Sequence, residues 1–199
     1  CPVHQIAAFL RSPSYEGLPT SAVEARVLAA VPTEVTITIT ASPRKGLGAT
    51  LDLAARLAGH GYRVVPHLSA RLIKDEAHLC DVLAAVAAAG SREVFVVAGD
   101  AQEPAGKFPD SISLLTALNE ISHELTEIGV TGYPERHGFI DDEVTIHAMG
   151  GKRQPATYTG NNPCIEPQLV RRRAALVRHW RGQRSRRAGR MGWTAHPPL

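Results

Sequence analysis

The sequence predicts an α/β protein built on a parallel sheet, and three observations carry that prediction. Short β-branched or apolar runs alternate along the chain with helical stretches that carry an apolar face. Glycines close those helical stretches, at Gly59-His60-Gly61 and at Gly90, where the left-handed conformation that ends a helix suits a residue without a Cβ. The run Glu93-Val94-Phe95-Val96-Val97 is apolar on consecutive residues, as expected of a strand buried on both faces.

Taken in order, Pro13 to Leu18 reads as a short extended segment carrying Glu16, and Thr20 is placed to N-cap a helix over Ala22 to Ala30. Val35 to Thr40 alternates apolar β-branched residues with threonines, a period-2 strand. Lys45-Gly46-Leu47-Gly48 leads into a helix over Ala49 to Ala58, with Leu51, Leu53, Ala54 and Leu57 largely on one face. Tyr62 to Leu68 is the next strand, followed by a helix over Asp75 to Ala89 and the Glu93 to Val97 strand. A loop rich in Pro and Gly, Ala101 to Asp110, leads to a helix expected over Ser111 to Glu127. A strand running into Gly132-Tyr133-Pro134, a helix over Asp141 to Lys152, a weaker strand from Ala156 to about Asn161 and a helix over Leu169 to Trp180 complete six βα units. Spacing alone leaves a doubly wound sheet and a barrel both open.

Composition bounds the function classes. The chain has 199 residues, 44% hydrophobic and 21% charged, enough for one sizeable core. No apolar run approaches the roughly 18 residues of a membrane span, and no signal-peptide pattern follows Cys1, so a cytoplasmic protein without a membrane partner is expected. Three cysteines without metal-type spacing suit a reducing compartment. The net charge of +3 conceals a split: nine of the 22 basic residues lie after Pro167 with no acid among them, while the preceding 13 face 19 acidic residues. The division is therefore a body over 1–166 and a last helix with an irregular, Arg-rich tail over 167–199, in which no further βα unit is legible. The tail alone argues for nucleic acid, and a solvated tail is the simpler reading, so a nucleic-acid partner is not expected.

In parallel α/β proteins, reactive groups gather at the carboxyl ends of strands. Here those ends carry Glu16, Thr40, His67, Asp100, Tyr133 with His137, and Asn162. Gly99 precedes Asp100 where a ligand could approach the backbone. Tyr133-Pro134-Glu135-Arg136-His137 places a phenol, a carboxylate, a guanidinium and an imidazole on one short corner. His67 lies between apolar neighbours with no partner ligand at metal spacing, which argues against a metal site. No phosphate-binding glycine fingerprint is present.

Tyr15-Glu16-x-x-Pro19, Thr40, Pro66-His67-Leu68-Ser69, Ala98-Gly99-Asp100 and Gly132-Tyr133-Pro134-Glu135-x-His137 occur in an order and spacing that resemble methylenetetrahydrofolate reductases, from about Ser14 to Asn162. The resemblance implies a (β/α)8 TIM-type barrel, here with about six units, that reduces 5,10-methylenetetrahydrofolate to 5-methyltetrahydrofolate with NAD(P)H through FAD. It implies Glu16 as the acid that protonates N10 of the folate and Asp100 as the residue facing pterin and flavin. A carboxyl enclosed at a barrel mouth can hold such a proton near neutrality. Thr40 corresponds to a nicotinamide-site residue. His67, Gly99, Tyr133 and His137 correspond to flavin-site positions, Lys152 to a contact with the flavin pyrophosphate, and Asn162 to an amide that binds the folate. The chain departs from the family at Ala98, where an arginine is common, and at Asn162, where the amide is usually Gln. Those departures leave direct hydride transfer from NAD(P)H as a variant. The rival reading is an incomplete, non-catalytic barrel that binds folate or flavin, or whose open edges are closed by another chain, such as a second copy of itself.

Overall fold

The computed structural model describes residues 13–131, 156–161 and 191–195. Within them, seven parallel strands follow one another around a closed ring: β1 (Pro13–Gly17), β2 (Thr36–Ile39), β3 (Val64–Ser69), β4 (Glu93–Val97), β5 (Glu127–Thr131), β6 (Tyr158–Asn161) and β7 (Met191–Ala195). Helices α1 (Ser21–Ala30), α2 (Gly46–Gly59), α3 (Glu76–Ala88) and α4 (Ser111–Glu120) connect the first five strands. The α/β class and the parallel sheet expected from the alternation are thus present.

Alternation along each strand sorts the side chains into two layers. Ile37, Ile39 and Val64 join Val27, Leu53 and Leu57 in one outer cluster. Leu68, Val94, Val96, Ile128 and Val130 join Leu79, Val86, Leu114 and Leu118 in a larger one. Val65, Phe95 and Tyr158 form a separate cluster inside the ring. Inner and outer residues alternate because successive Cβ atoms leave opposite faces of a strand. Gly129 decides how the interior is filled. It partners Phe95 on one side and Tyr158 on the other. A Cβ there would lie 2.4 Å from the Tyr158 ring and 2.5 Å from that of Phe95. The two rings occupy the space that this missing side chain leaves, a large–small–large layer across three strands.

The helix ends agree with the sequence reading at the glycine stops and differ from it in three places; two aspartate caps were not anticipated. Asp75 caps α3 by accepting the His78 N–H at 2.9 Å, and Asp110 forms a capping box with Ser113 at the start of α4. Gly61 and Gly90 have φ of +88° and +75°, the conformation anticipated for the helix stops. Thr20 holds the N-cap position of α1, but its hydroxyl makes no capping bond. Helix α2 begins at Gly46, three residues before the expected start, and so absorbs Gly46 to Gly48 with Lys45 at its N-cap. Helix α4 ends at Glu120 rather than Glu127, because Ile121 turns extended at φ −97° and ψ 138°. Ile121 and Leu125 continue the helical spacing of Leu118, yet they pack on the outer cluster from an extended loop. Periodicity reported burial correctly there and conformation wrongly.

The largest correction concerns the Arg-rich segment, where no strand was expected. Met191–Ala195 pairs with β6 through Thr159↔Met191 and with β1 through Pro13↔Trp193. Both edges that a six-stranded sheet would leave open are therefore paired. A short stretch interrupted by Gly192 has little strand propensity of its own; two neighbouring strands supply its pairing.

Candidate functional site at the carboxyl rim

All strands run in one direction, so one end of the ring collects their carboxyl ends. Tyr15 packs on the outer cluster, which directs the next residue, Glu16, to the interior side. Glu16 partners Thr38 in the β1–β2 register, and Thr40 follows β2 directly. The Thr40 hydroxyl donates to Glu16 Oε1 at 3.0 Å, so two of the anticipated site residues meet. Both are half-buried. Around them, the Thr40 N–H donates to the Gly17 carbonyl at 2.9 Å, and Lys45 Nζ donates to the Pro19 carbonyl at 2.9 Å. The β1 and β2 ends are thereby fastened together, and the carboxylate has a fixed hydroxyl donor.

His67 is 5% exposed inside the ring, its ring centroid 4.9 Å from that of Phe95, its register partner on β4. Its apolar neighbours foretold that burial. Gly99 and Asp100 follow β4. Gly99 has φ +91°, and a Cβ there would lie 1.8 Å from Ser69 Oγ. The close approach anticipated at this glycine is that of the Ser69 side chain from the adjacent strand. Asp100 is exposed, and among the described residues it makes no hydrogen bond or ion pair. Tyr133, His137, Lys152 and Asn162 lie outside the described residues.

Sequence reasoning missed the residue that holds this rim together. Arg71 sits in a 3-10 turn, Ala70–Leu72, just after β3. Its Nη1 donates to the Ala101 carbonyl at 2.8 Å and to Gln102 at 3.4 Å, and its Nε donates to Pro109 at 2.9 Å. A lone arginine between a strand and a helix cap gives no signal in sequence, because its partners are carbonyls about 30 positions away.

The opposite end of the ring holds a different set of charges. Arg63 bonds to Glu93, with Nε at 3.0 Å and a second, shorter contact from Nη2, and lies 3.5 Å from Glu127. Burial opposes the Arg63 charge, but the bond to Glu93 and the two carboxylates outweigh it and raise its pKa. Burial pushes the Tyr158 phenol well above its ordinary range, helped by the nearby Glu93 carboxylate. This network sets one guanidinium against two carboxylates at the amino end of the ring.

No family model matches the chain. Among the described residues, no helix is long and apolar enough to cross a membrane, and no three His, Cys, Asp or Glu side chains are grouped to hold a metal ion.

Proposed function

We propose that this protein is an oxidoreductase of the methylenetetrahydrofolate reductase type, reducing 5,10-methylenetetrahydrofolate to 5-methyltetrahydrofolate with NAD(P)H. The observation that carries the reading is the Glu16–Thr40 hydrogen bond at the carboxyl rim of a parallel ring, with Gly99-Asp100 following β4 on that same rim. The (β/α)8 TIM-type assignment belongs to the same proposal; the described ring has one strand fewer than that family's eight. A cytoplasmic, one-carbon-metabolism setting follows from the reaction.

The chemistry asks for one acid and one anchor. Opening the five-membered ring of the folate requires a proton on N10, which unmasks an iminium carbon able to accept a hydride. Glu16 supplies that proton, and the Thr40 hydroxyl on Oε1 fixes the orientation of the carboxyl at the rim. Asp100 accepts hydrogen bonds from the pterin N–H groups, a role suited to an exposed carboxylate without a protein partner among the described residues. The balance is one hydride from NAD(P)H and one proton, giving NAD(P)+ and the methyl product.

A flavin, when bound, supplies the relay of that hydride. In this proposal His67, on β3, and Gly99, just after the adjacent β4, serve the flavin, and Thr40, just after β2, serves the nicotinamide. On this reading, Tyr133, His137 and Lys152 hold the remainder of the FAD, and Asn162 binds the folate.

The test is Glu16→Gln in the full chain. Gln keeps an oxygen for Thr40 but has no proton to give. Folate-dependent NAD(P)H oxidation should fall by about 10²–10⁴-fold, the usual worth of a general acid. Undiminished turnover would remove Glu16 from the role. An absorbance spectrum of the purified protein separates the flavin route from direct transfer: yellow for the former, colourless with turnover for the latter.

A further inference from the structure

We propose that Arg71 is the positioning residue for Asp100, clamping the segment after β4 so that its carboxylate is presented at the rim; this rests on the folate reading given above. The segment is held on both sides of Asp100 by the residues that end β3. On the near side, the Ala98 carbonyl accepts the Arg71 N–H at 3.1 Å and the Ser69 hydroxyl at 3.3 Å. On the far side, the Arg71 guanidinium donates to Ala101, Gln102 and Pro109. The Arg71 carbonyl in turn accepts the Ala105 N–H at 2.9 Å, and the Lys74 carbonyl accepts the Lys107 N–H at 2.8 Å. At Gly106 a Cβ would lie 1.9 Å from the Lys74 carbonyl oxygen, so the loop lies flat on the β3 exit. The Lys107–Glu76 ion pair at 2.8 Å ties the loop to the first turn of α3.

Gly99 has φ +91°, a backbone conformation that a residue without a Cβ adopts readily and that turns the chain toward Asp100. The bonds to Ala98 and Ala101 flank that turn, leaving the Gly99-Asp100 pair as a short span between two fixed carbonyls. Three carbonyls in different directions need a forked, planar donor set; an ammonium group on a flexible stem supplies only a point charge. Arginine is therefore the required residue at position 71, and its effect on a ligand passes through Asp100.

The experiment is a double-mutant cycle on the full chain, with 5-methyltetrahydrofolate as the probe and intrinsic fluorescence as the readout. Arg71→Ala and Arg71→Lys should each weaken binding by about tenfold or more. Asp100→Asn should weaken it comparably, and Arg71→Lys should add little in the Asp100→Asn background. Arg71→Lys keeps the charge and guards against a folding failure, and guanidinium in the buffer should restore binding to Arg71→Ala. Unchanged binding in the Arg71 variants, or full additivity with Asp100→Asn, overturns the proposal. If the unaltered protein does not bind the folate, the functional reading fails by itself. Amide hydrogen exchange then decides the clamp: Arg71→Lys should speed exchange of the Ala105 amide, which bonds to the Arg71 carbonyl, by about tenfold, with Arg56→Ala as the control. Unaltered exchange there refutes the clamp independently of any ligand.

Discussion

The two ends of this ring carry similar residue types and use them differently. At the amino end, Glu93 is 8% exposed, bonds to Arg63 and lies near the Tyr158 phenol, so this carboxylate has a cationic partner. At the carboxyl end, Glu16 is half-buried and accepts the Thr40 hydroxyl, and Asp100 stands exposed. A carboxylate matched to a guanidinium serves the fold. An exposed carboxylate with no partner among the described residues, as at Asp100, is open to a ligand's hydrogen-bond donors. The difference teaches where to separate stability from activity in one small molecule.

The sharpest way to break that comparison is to apply the same change at both ends. Glu16→Gln should lower folate-dependent turnover by at least about 100-fold while leaving the melting temperature nearly unchanged. If it unfolds the protein instead, the carboxyl rim is structural and the contrast collapses. Next in size is Gly129→Ala, which places a methyl group within 2.4 Å of the Tyr158 ring. Overpacking a filled interior should cost about 1–3 kcal/mol, read by urea unfolding. Glu93→Gln should cost about 1–2 kcal/mol, discounted because Arg63 is partly exposed, and should spare turnover.

A smaller effect sharpens the contrast through pH. The Tyr158 phenol is raised in the folded protein, so the folded state keeps that proton after an unfolded tyrosine begins to lose it near pH 10, approximately. Its contribution is complete below that pH and is lost as pH rises further. Tyr158→Phe should therefore flatten the alkaline limb of the stability curve, and an unchanged limb would place the phenol in water. The smallest effect belongs to the surface, where Glu24→Ala removes the pair with Arg56 and should shift stability by less than about 0.5 kcal/mol.

Legibility in the sequence followed how local each signal was. Strands β2 to β5 and the glycine stops at Gly61 and Gly90 are readable because a few adjacent residues determine them. Glu16 and Thr40 could be named singly, but their hydrogen bond depends on the β1–β2 register, which no single segment encodes. Arg71 and the Phe95–Gly129–Tyr158 layer escaped notice because their partners lie far away in the chain and meet only when the ring forms. Strand β7 was illegible for the same reason, its pairing being supplied by β1 and β6.

That last pairing also sets the order of events during folding. Pro13 and Trp193 are partners from nearly opposite ends of the sequence, and a contact that distant forms slowly because a long loop must first close. On a ribosome, the earlier strands emerge and assemble while β1 and β6 still present rows of unpaired amides and carbonyls. The nascent chain is at its most adhesive in that interval, and it ends when Met191–Ala195 slots in between them.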